Sequence, residues 1–387
     1  MNRIPSWVWA LVPVALLAAL SVAVVRGGLL EFMRAGVPPV EELTFERVTL
    51  RPGSLRVEVV NGGPDPVTIA QVMVDEAFWR FTVTPGPTVG RLSRATVEIP
   101  YPWVENEVHR VALLTSTGLT FEHEIAVARE TPPLDARFFG VFGLIGLYVG
   151  VIPVALGLLW YPALRRLERR WLHFLLALTG GLLLFLGVDA VDEALESAAQ
   201  VAGAYQGPLL VLVGAVGTLL LLQAVSASRT ARSDEVGRRT VAWLVALGIG
   251  LHNLGEGLAI GAAYVMGEAA LGAFLVIGFM LHNSTEGLAI VAPIARDRPR
   301  VALLAGMGAL AGVPTIFGAW IGGAAFSPAL ATLFLSVGAG AIAQVIVSLY
   351  RVVARDPADG PIWTPFTAGG LVAGMLVMYA TGLMVAG

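Results

Sequence analysis

From Ala136 onward the chain alternates long apolar runs with short polar breaks. The runs are Phe138–Tyr161, Trp171–Leu195, Pro208–Val225, Thr240–Met266, Ala269–Ile294, Val301–Ala325, Pro328–Tyr350 and Pro365–Ala386. As a helix, each is long enough to cross ~30 Å of hydrocarbon. Only helices and closed barrels satisfy their backbone polar groups in lipid. The expected class is therefore a polytopic α-helical membrane protein, with an eight-helix bundle over residues 136–387. A mean hydropathy of +0.76, with 14% charged residues, agrees.

A further apolar run, Trp7–Val25, follows Arg3 and has no clear small-x-small cleavage site. Residues 1–27 are expected to be an uncleaved signal anchor with a cytoplasmic N-terminus. Between anchor and bundle the composition changes. The stretch "SLRVEVVNGGPDPVTIAQVMVD" alternates apolar and polar residues around a turn-rich centre, and "RATVEIPY", "HRVALLTSTG" and "TFEHEIAVA" continue the alternation. Short strands with frequent turn signals predict a small antiparallel β-sandwich over residues 28–135.

The breaks between runs carry a charge code. Arg165, Arg166, Arg169 and Arg170 follow the first core run; Arg229, Arg232, Arg238 and Arg239 the third; Arg296, Arg298 and Arg300 the fifth; Arg351 and Arg355 the seventh. The breaks "VMGEAA" and "AAFSPA" carry no Arg. Arg concentrates in cytoplasmic loops, so the β domain and the C-terminus are expected outside the cell. The expected location is a cell membrane, a prokaryotic inner or plasma membrane, with the lipid bilayer as partner. There is no cysteine, which excludes thiolate metal sites, disulfides and CxxC redox chemistry. The net charge of -3 and the lack of a basic block argue against a nucleic-acid partner.

Two runs carry groups that lipid does not tolerate. "GIGLHNLGEGLAIG" contains His252, Asn253 and Glu256, and "GFMLHNSTEGLAIV" contains His282, Asn283 and Glu286. Each triplet sits near the middle of its run, and ionisable side chains there cost several kcal/mol unless they face a polar interior. His and Glu at i and i+4 share a helix face, with Asn one position round. Two adjacent antiparallel helices can then bring two imidazoles, two carboxylates and two amides around one volume. That donor set suits Zn2+, Fe2+ or Mn2+. Polar glue between helices and a proton relay without metal are the competing readings of the same residues.

The paired HNxxEG motifs on the fourth and fifth core helices resemble those of ZIP-family (ZRT/IRT-like) divalent metal transporters, over about residues 137–387. The resemblance implies an eight-helix ZIP-like bundle that moves Zn2+, and also Fe2+, Mn2+ or Cd2+, into the cytoplasm without ATP. It implies His252, Glu256, His282 and Glu286 as primary ligands. It implies Asn253 and Asn283 at a neighbouring second position. Many relatives carry Glu before the proline of the sixth core helix; here Val313 precedes Pro314. A single ion, or a weaker second position, is the expectation. Gln344 on the seventh core helix is a candidate accessory residue. Pro314 could kink or break its helix and free backbone carbonyls.

The second core run ends in Asp189, Asp192, Glu193 and Glu196, one face of a helix by spacing. Asp189 and Asp192 are candidate entrance residues that concentrate cations, with Asp189 the deeper. His109 and His123 of the β region read as structural.

The leading expectation is a divalent metal importer working by alternating access. Its cargo would be the metal ion, Zn2+ first, with no organic cofactor and no enzymatic activity. Protons should compete with metal for the imidazoles, so transport should weaken at low pH. A membrane metal sensor and an intramembrane metal-dependent hydrolase are the alternatives; the absence of HExxH counts against the hydrolase. The β domain could capture metal, bind a partner or mediate a homodimer, and the sequence does not choose.

Overall fold

A computed structural model describes residues 6–26, 38–229, 234–265, 269–354 and 362–386. Arg3, Arg232, Arg355 and the turn at 266–268 lie outside the described residues. The chain divides into two units, Met1–Val40 and Glu41–Gly387. Among its described residues the first unit holds one helix, α1 (Ser6–Arg26), whose described side chains from Leu11 to Leu20 are exposed and apolar. The β region and the helices from Ala136 onward belong together to the second unit.

Nine strands fill 43–125: β1 (Leu43–Arg51), β2 (Ser54–Asn61), β3 (Val67–Val74), β4 (Ala77–Phe78), β5 (Thr82–Thr84), β6 (Thr88–Val89), β7 (Arg94–Ile99), β8 (His109–Thr115) and β9 (Thr120–Ile125). They form two antiparallel sheets, β1-β2-β7-β5 and β4-β3-β8-β9, with β6 on β3. Alternate residues point inward, as strand geometry requires. Leu55, Val57 and Val59 of the first sheet meet Val72, Val74, Val111 and Leu113 of the second in one core. His109 is buried and serves this region structurally: Val104 N–H donates to its Nε2 at 3.2 Å, and its Nδ1 meets Asp75 Oδ2 at 2.7 Å. The Tyr101 hydroxyl donates to the same oxygen at 2.6 Å, and the Arg110 backbone N–H donates to Asp75 Oδ1 at 2.8 Å.

The helices are α2 (Ala136–Leu164), α3 (Arg169–Ala199), α4 (Gly207–Arg229), α5 (Asp234–Val265), α6 (Ala269–Val291), α7 (Val301–Ala325), α8 (Pro328–Ala354) and α9 (Pro365–Ala386). Among the described residues of this region, six apolar segments, in α2–α5, α7 and α8, are long enough to cross a membrane. A shorter apolar stretch, Pro365–Ala380, lies in α9. Near its middle, α2 carries a π-helical turn at Leu147–Val151. Pro314 does not break α7, which runs through it from Val301 to Ala325.

Small residues decide which helices pair closely. A Cβ on Gly257 of α5 would lie 2.2 Å from Thr315 O of α7, and one on Gly318 of α7 would lie 2.1 Å from Leu254 O of α5. The same backbone-to-backbone fit joins α2 to α6 at Gly157 and Gly287, and α2 to α7 at Gly146 and Gly312. It also joins α3 to α9 at Gly181, Gly370 and Gly374, α3 to α4 at Gly207, and α4 to α8 at Gly340. These seams define two groups, α2/α5/α6/α7 and α3/α4/α8/α9. Where the groups meet, at α5 and α8, the fit is looser. Among the described glycines there, an added Cβ stays 3.1 Å or more from any backbone atom of the other helix.

Two outcomes follow. Gly257→Val should cost on the order of 1–3 kcal/mol through overpacking, seen as a lower unfolding midpoint of the solubilised protein. Gly217→Ala, where a Cβ meets nothing within 4 Å, should leave the midpoint unchanged. In the β region, burial alone would raise the Asp75 carboxyl, but the bonds from Tyr101, Arg110 and His109 outweigh it and hold it below the usual carboxylate range. A depressed carboxylate stabilises the fold above its unfolded-state pKa, and that contribution is lost as pH falls through the folded-state value. Protection factors at β3 and β8, which remove the intrinsic slowing of exchange in acid, should therefore fall on acidification. Asp75→Asn should exchange faster at pH 7 and show less further change with acid.

Candidate metal centre

The HNxxEG repeats fold as ordinary helix in α5 and α6, so each His and Glu, one turn apart, fall on the same face. The two helices pack against each other and turn these faces together. His252 Nε2 lies 3.1 Å from Glu256 Oε1, and His282 Nε2 lies 2.5 Å from the same oxygen. The imidazole centroids are 6.4 Å apart. One ligand atom from each of His252, Glu256 and His282 fits within 4.8 Å of the other two. All three residues are buried. Two nitrogens and a carboxylate oxygen at this spacing form a His/Glu group able to hold a metal ion.

The asparagines do a different job. Asn283 Nδ2 donates to Glu256 Oε2 at 3.0 Å and to Val149 O at 3.1 Å. Asn253 Nδ2 donates to Glu286 Oε2 at 3.1 Å and to Ala311 O at 3.1 Å. Each motif's Asn thus holds the other motif's Glu, anchored on the backbone of a third helix. Val149 lies in the π-helical turn of α2, and Ala311 lies one turn before Pro314 in α7. With both N–H groups used this way, the amide oxygens are left without a donor. Asn253 Oδ1, Asn283 Oδ1 and Glu286 Oε1 are all buried without a hydrogen-bond partner. An unsatisfied buried acceptor costs about 1–3 kcal/mol, and more if charged. Three acceptor oxygens beside a His/Glu group, with no donor turned toward them, match the needs of a cation.

The six motif residues therefore form two hydrogen-bonded sets, His252–Glu256–His282–Asn283 and Asn253–Glu286. Glu286 lies within electrostatic reach of Glu256 but outside the 4.8 Å ligand group, and three other candidates join neither set. Gln344 is fully buried on α8; its Nε2 donates to Ser348 in its own helix at 3.1 Å, and its Oε1 is buried without a hydrogen-bond partner. Asp189 and Asp192 are exposed on α3. Asp189, expected to be the deeper, lies within electrostatic reach of both motif histidines. Glu193 is the half-buried member of that stripe and lies within reach of Glu256. The carbonyls of Val149 and Ala311 were not visible in the sequence, since any residue supplies one; Pro314 was the single hint of irregular backbone. A small cavity beside His282 and Glu286, lined also by Thr179, Leu186, Thr285 and Met378, has room for about one water.

No protein-family model and no curated protein matches this chain.

The arrangement separates function from stability at one residue. Glu286→Gln removes a buried carboxylate whose second oxygen has no donor, so the metal-free protein should gain stability. The same change should weaken metal binding. Thermal unfolding in chelator against titration with Zn2+ reads both; a loss of stability without metal would show that the carboxylate is structurally required.

Proposed function

We propose that this chain is a divalent metal cation transporter, with Zn2+ as its first cargo and Fe2+, Mn2+ or Cd2+ as others. The observation that carries the proposal is the meeting of His252, Glu256 and His282 beside three buried oxygens that no hydrogen-bond donor satisfies. The likeness of the two HNxxEG motifs to those of the ZIP family supports it. So does the setting, since six segments are long and apolar enough to cross a membrane and the group is buried among them.

In this reading eight helices span the bilayer, the Arg-bearing ends lie in the cytoplasm, and the β region and C-terminus lie outside. The metal ion sheds water as it enters the cluster. His252 and His282 offer neutral ring nitrogens, Glu256 neutralises charge between them, and Glu286 completes the shell. Asn253 and Asn283 hold both carboxylates in place through their amide N–H groups. Alternating access follows from movement of the glycine-locked group α2/α5/α6/α7, which carries all six residues or their anchors, against α3/α4/α8/α9. The looser seam between α5 and α8 is where such movement meets least steric resistance.

Uptake of radioactive Zn2+ into proteoliposomes tests the proposal. Wild type should accumulate the ion and His252→Ala should lose about tenfold or more of the initial rate. Equal uptake by the two would sink it. Tight binding without flux would instead identify a sensor, and metal-stimulated turnover of a lipid or peptide without flux would identify a hydrolase.

A further inference from the structure

The β region touches both helix groups, and β1 reaches each of them. Glu42, immediately before β1, accepts the backbone N–H of Gly203 at 2.5 Å. Gly203 opens the short turn Gly203–Tyr205 between α3 and α4. The carboxylate sits between two glycines that leave it no slack: a Cβ on Gly62 would fall 2.5 Å from its Oε1, and one on Gly203 would fall 2.8 Å from its Oε2. Nearby, Thr44, Glu46 and Val60 line one cleft together with Ala202, Tyr205 and Pro328. This seat lies entirely on the α3/α4/α8/α9 group.

Five residues along, the same strand reaches the other group. Arg47 Nη1 donates to the carbonyl of Ala324 at 2.5 Å, in the last turn of α7. Carbonyls in a last helical turn have no intrahelical partner, and a cation there is favoured by the helix dipole. Arg47 Nε is buried with no hydrogen-bond partner. The register of β1 shifts between Phe45 and Arg47: Phe45 pairs with Val59 and Arg47 with Glu58, leaving Glu46 as an extra residue. Such a bulge re-aims the side chains that follow it. Arg94 holds Glu46 with bonds of 2.6 and 3.0 Å, which pins the bulge to the neighbouring sheet face.

We propose that β1 is a strut across the joint between the two helix groups. It is seated on one group through Glu42 and tied to the other by the Arg47–Ala324 bond. The glycine-locked seams make each group stiff internally, while the α5/α8 seam between them is looser. A tie across that seam at the β-region end fixes the relative position of the groups, and releasing it frees them to shift. The strut is a property of packing; only its effect on ion flux rests on the transport reading above.

The chain has no cysteine, so introduced pairs report cleanly. Spin labels at Arg137→Cys on α2 and Ala199→Cys on α3, both exposed and outside the strut contacts, measure the distance between the groups. The full chain in lipid nanodiscs should give one dominant distance. Arg47→Ala should add a second population displaced by on the order of one helical turn, ~5 Å. Arg56→Ala, which removes an exposed pair with Glu98 inside the first sheet, should leave the distribution as in wild type. The proposal is overturned if Arg47→Ala superimposes on wild type, or if Arg56→Ala shifts the distances as far as Arg47→Ala does. Zn2+ uptake is measured on the same variants. If no variant takes up Zn2+ while the distances behave as expected, the transport reading fails and the strut stands.

Discussion

A single carboxylate, Glu256, holds the centre of this molecule together. Both motif imidazoles reach its Oε1, and Asn283 reaches its Oε2. Those bonds join α5 to α6 in a place sealed from solvent, where any unpaired charge is costly. The π-helical turn in α2 and the backbone ahead of Pro314 in α7 supply carbonyls that fix the two asparagines. Four helices are thereby organised around one cluster. The cluster's own hydrogen bonds still leave three oxygens without a donor. A purely structural polar network would be expected to satisfy its members, because half-satisfied networks destabilise.

Packing around the cluster rests on the absence of side chains as much as on their presence. Where α5 meets α7, backbone approaches backbone so closely that a methyl group at Gly257 or Gly318 would overlap a carbonyl. For apolar helices in lipid in general, burying apolar surface gains little and close dispersion contact of this kind does much of the holding. The same logic makes each helix group stiff and leaves the joint between groups comparatively free. The β region, seated across that joint through β1, then becomes a mechanical part of the bundle rather than a separate module.

Much of this was legible from the residues alone. Apolar runs separated by Arg-bearing breaks mark helices, because lipid leaves the backbone no other open-ended solution. Alternation in the 43–125 segment marks strands, because a sheet with one buried face needs period two. His109 could be read as structural from its isolation, and its bonds to Asp75 and Val104 bear that out. Other readings depended on depth, which spacing does not give. Asp189 was expected to be the deeper acid of its stripe; it lies within electrostatic reach of both motif histidines, although its side chain is exposed and that of Glu193 is half-buried. Gln344 was a candidate accessory residue; its amide N–H bonds within its own helix, while its Oε1 is buried without a hydrogen-bond partner. A one-residue step turns a helix by about 100°, so small errors in assigned face move a side chain into or out of a site.

The sequence by itself determined the element types and the two matched sets of His, Asn and Glu, because local periodicity and residue chemistry are written in order along the chain. The tertiary structure alone decided that each Asn serves the other motif's Glu, that backbone carbonyls of α2 and α7 hold those amides, and that Arg47 reaches the end of α7. These depend on which atoms from distant segments arrive within hydrogen-bonding distance of one another. Sequence spacing carries no information about that, because the approach is set by helix packing at glycines and by the bulge in β1.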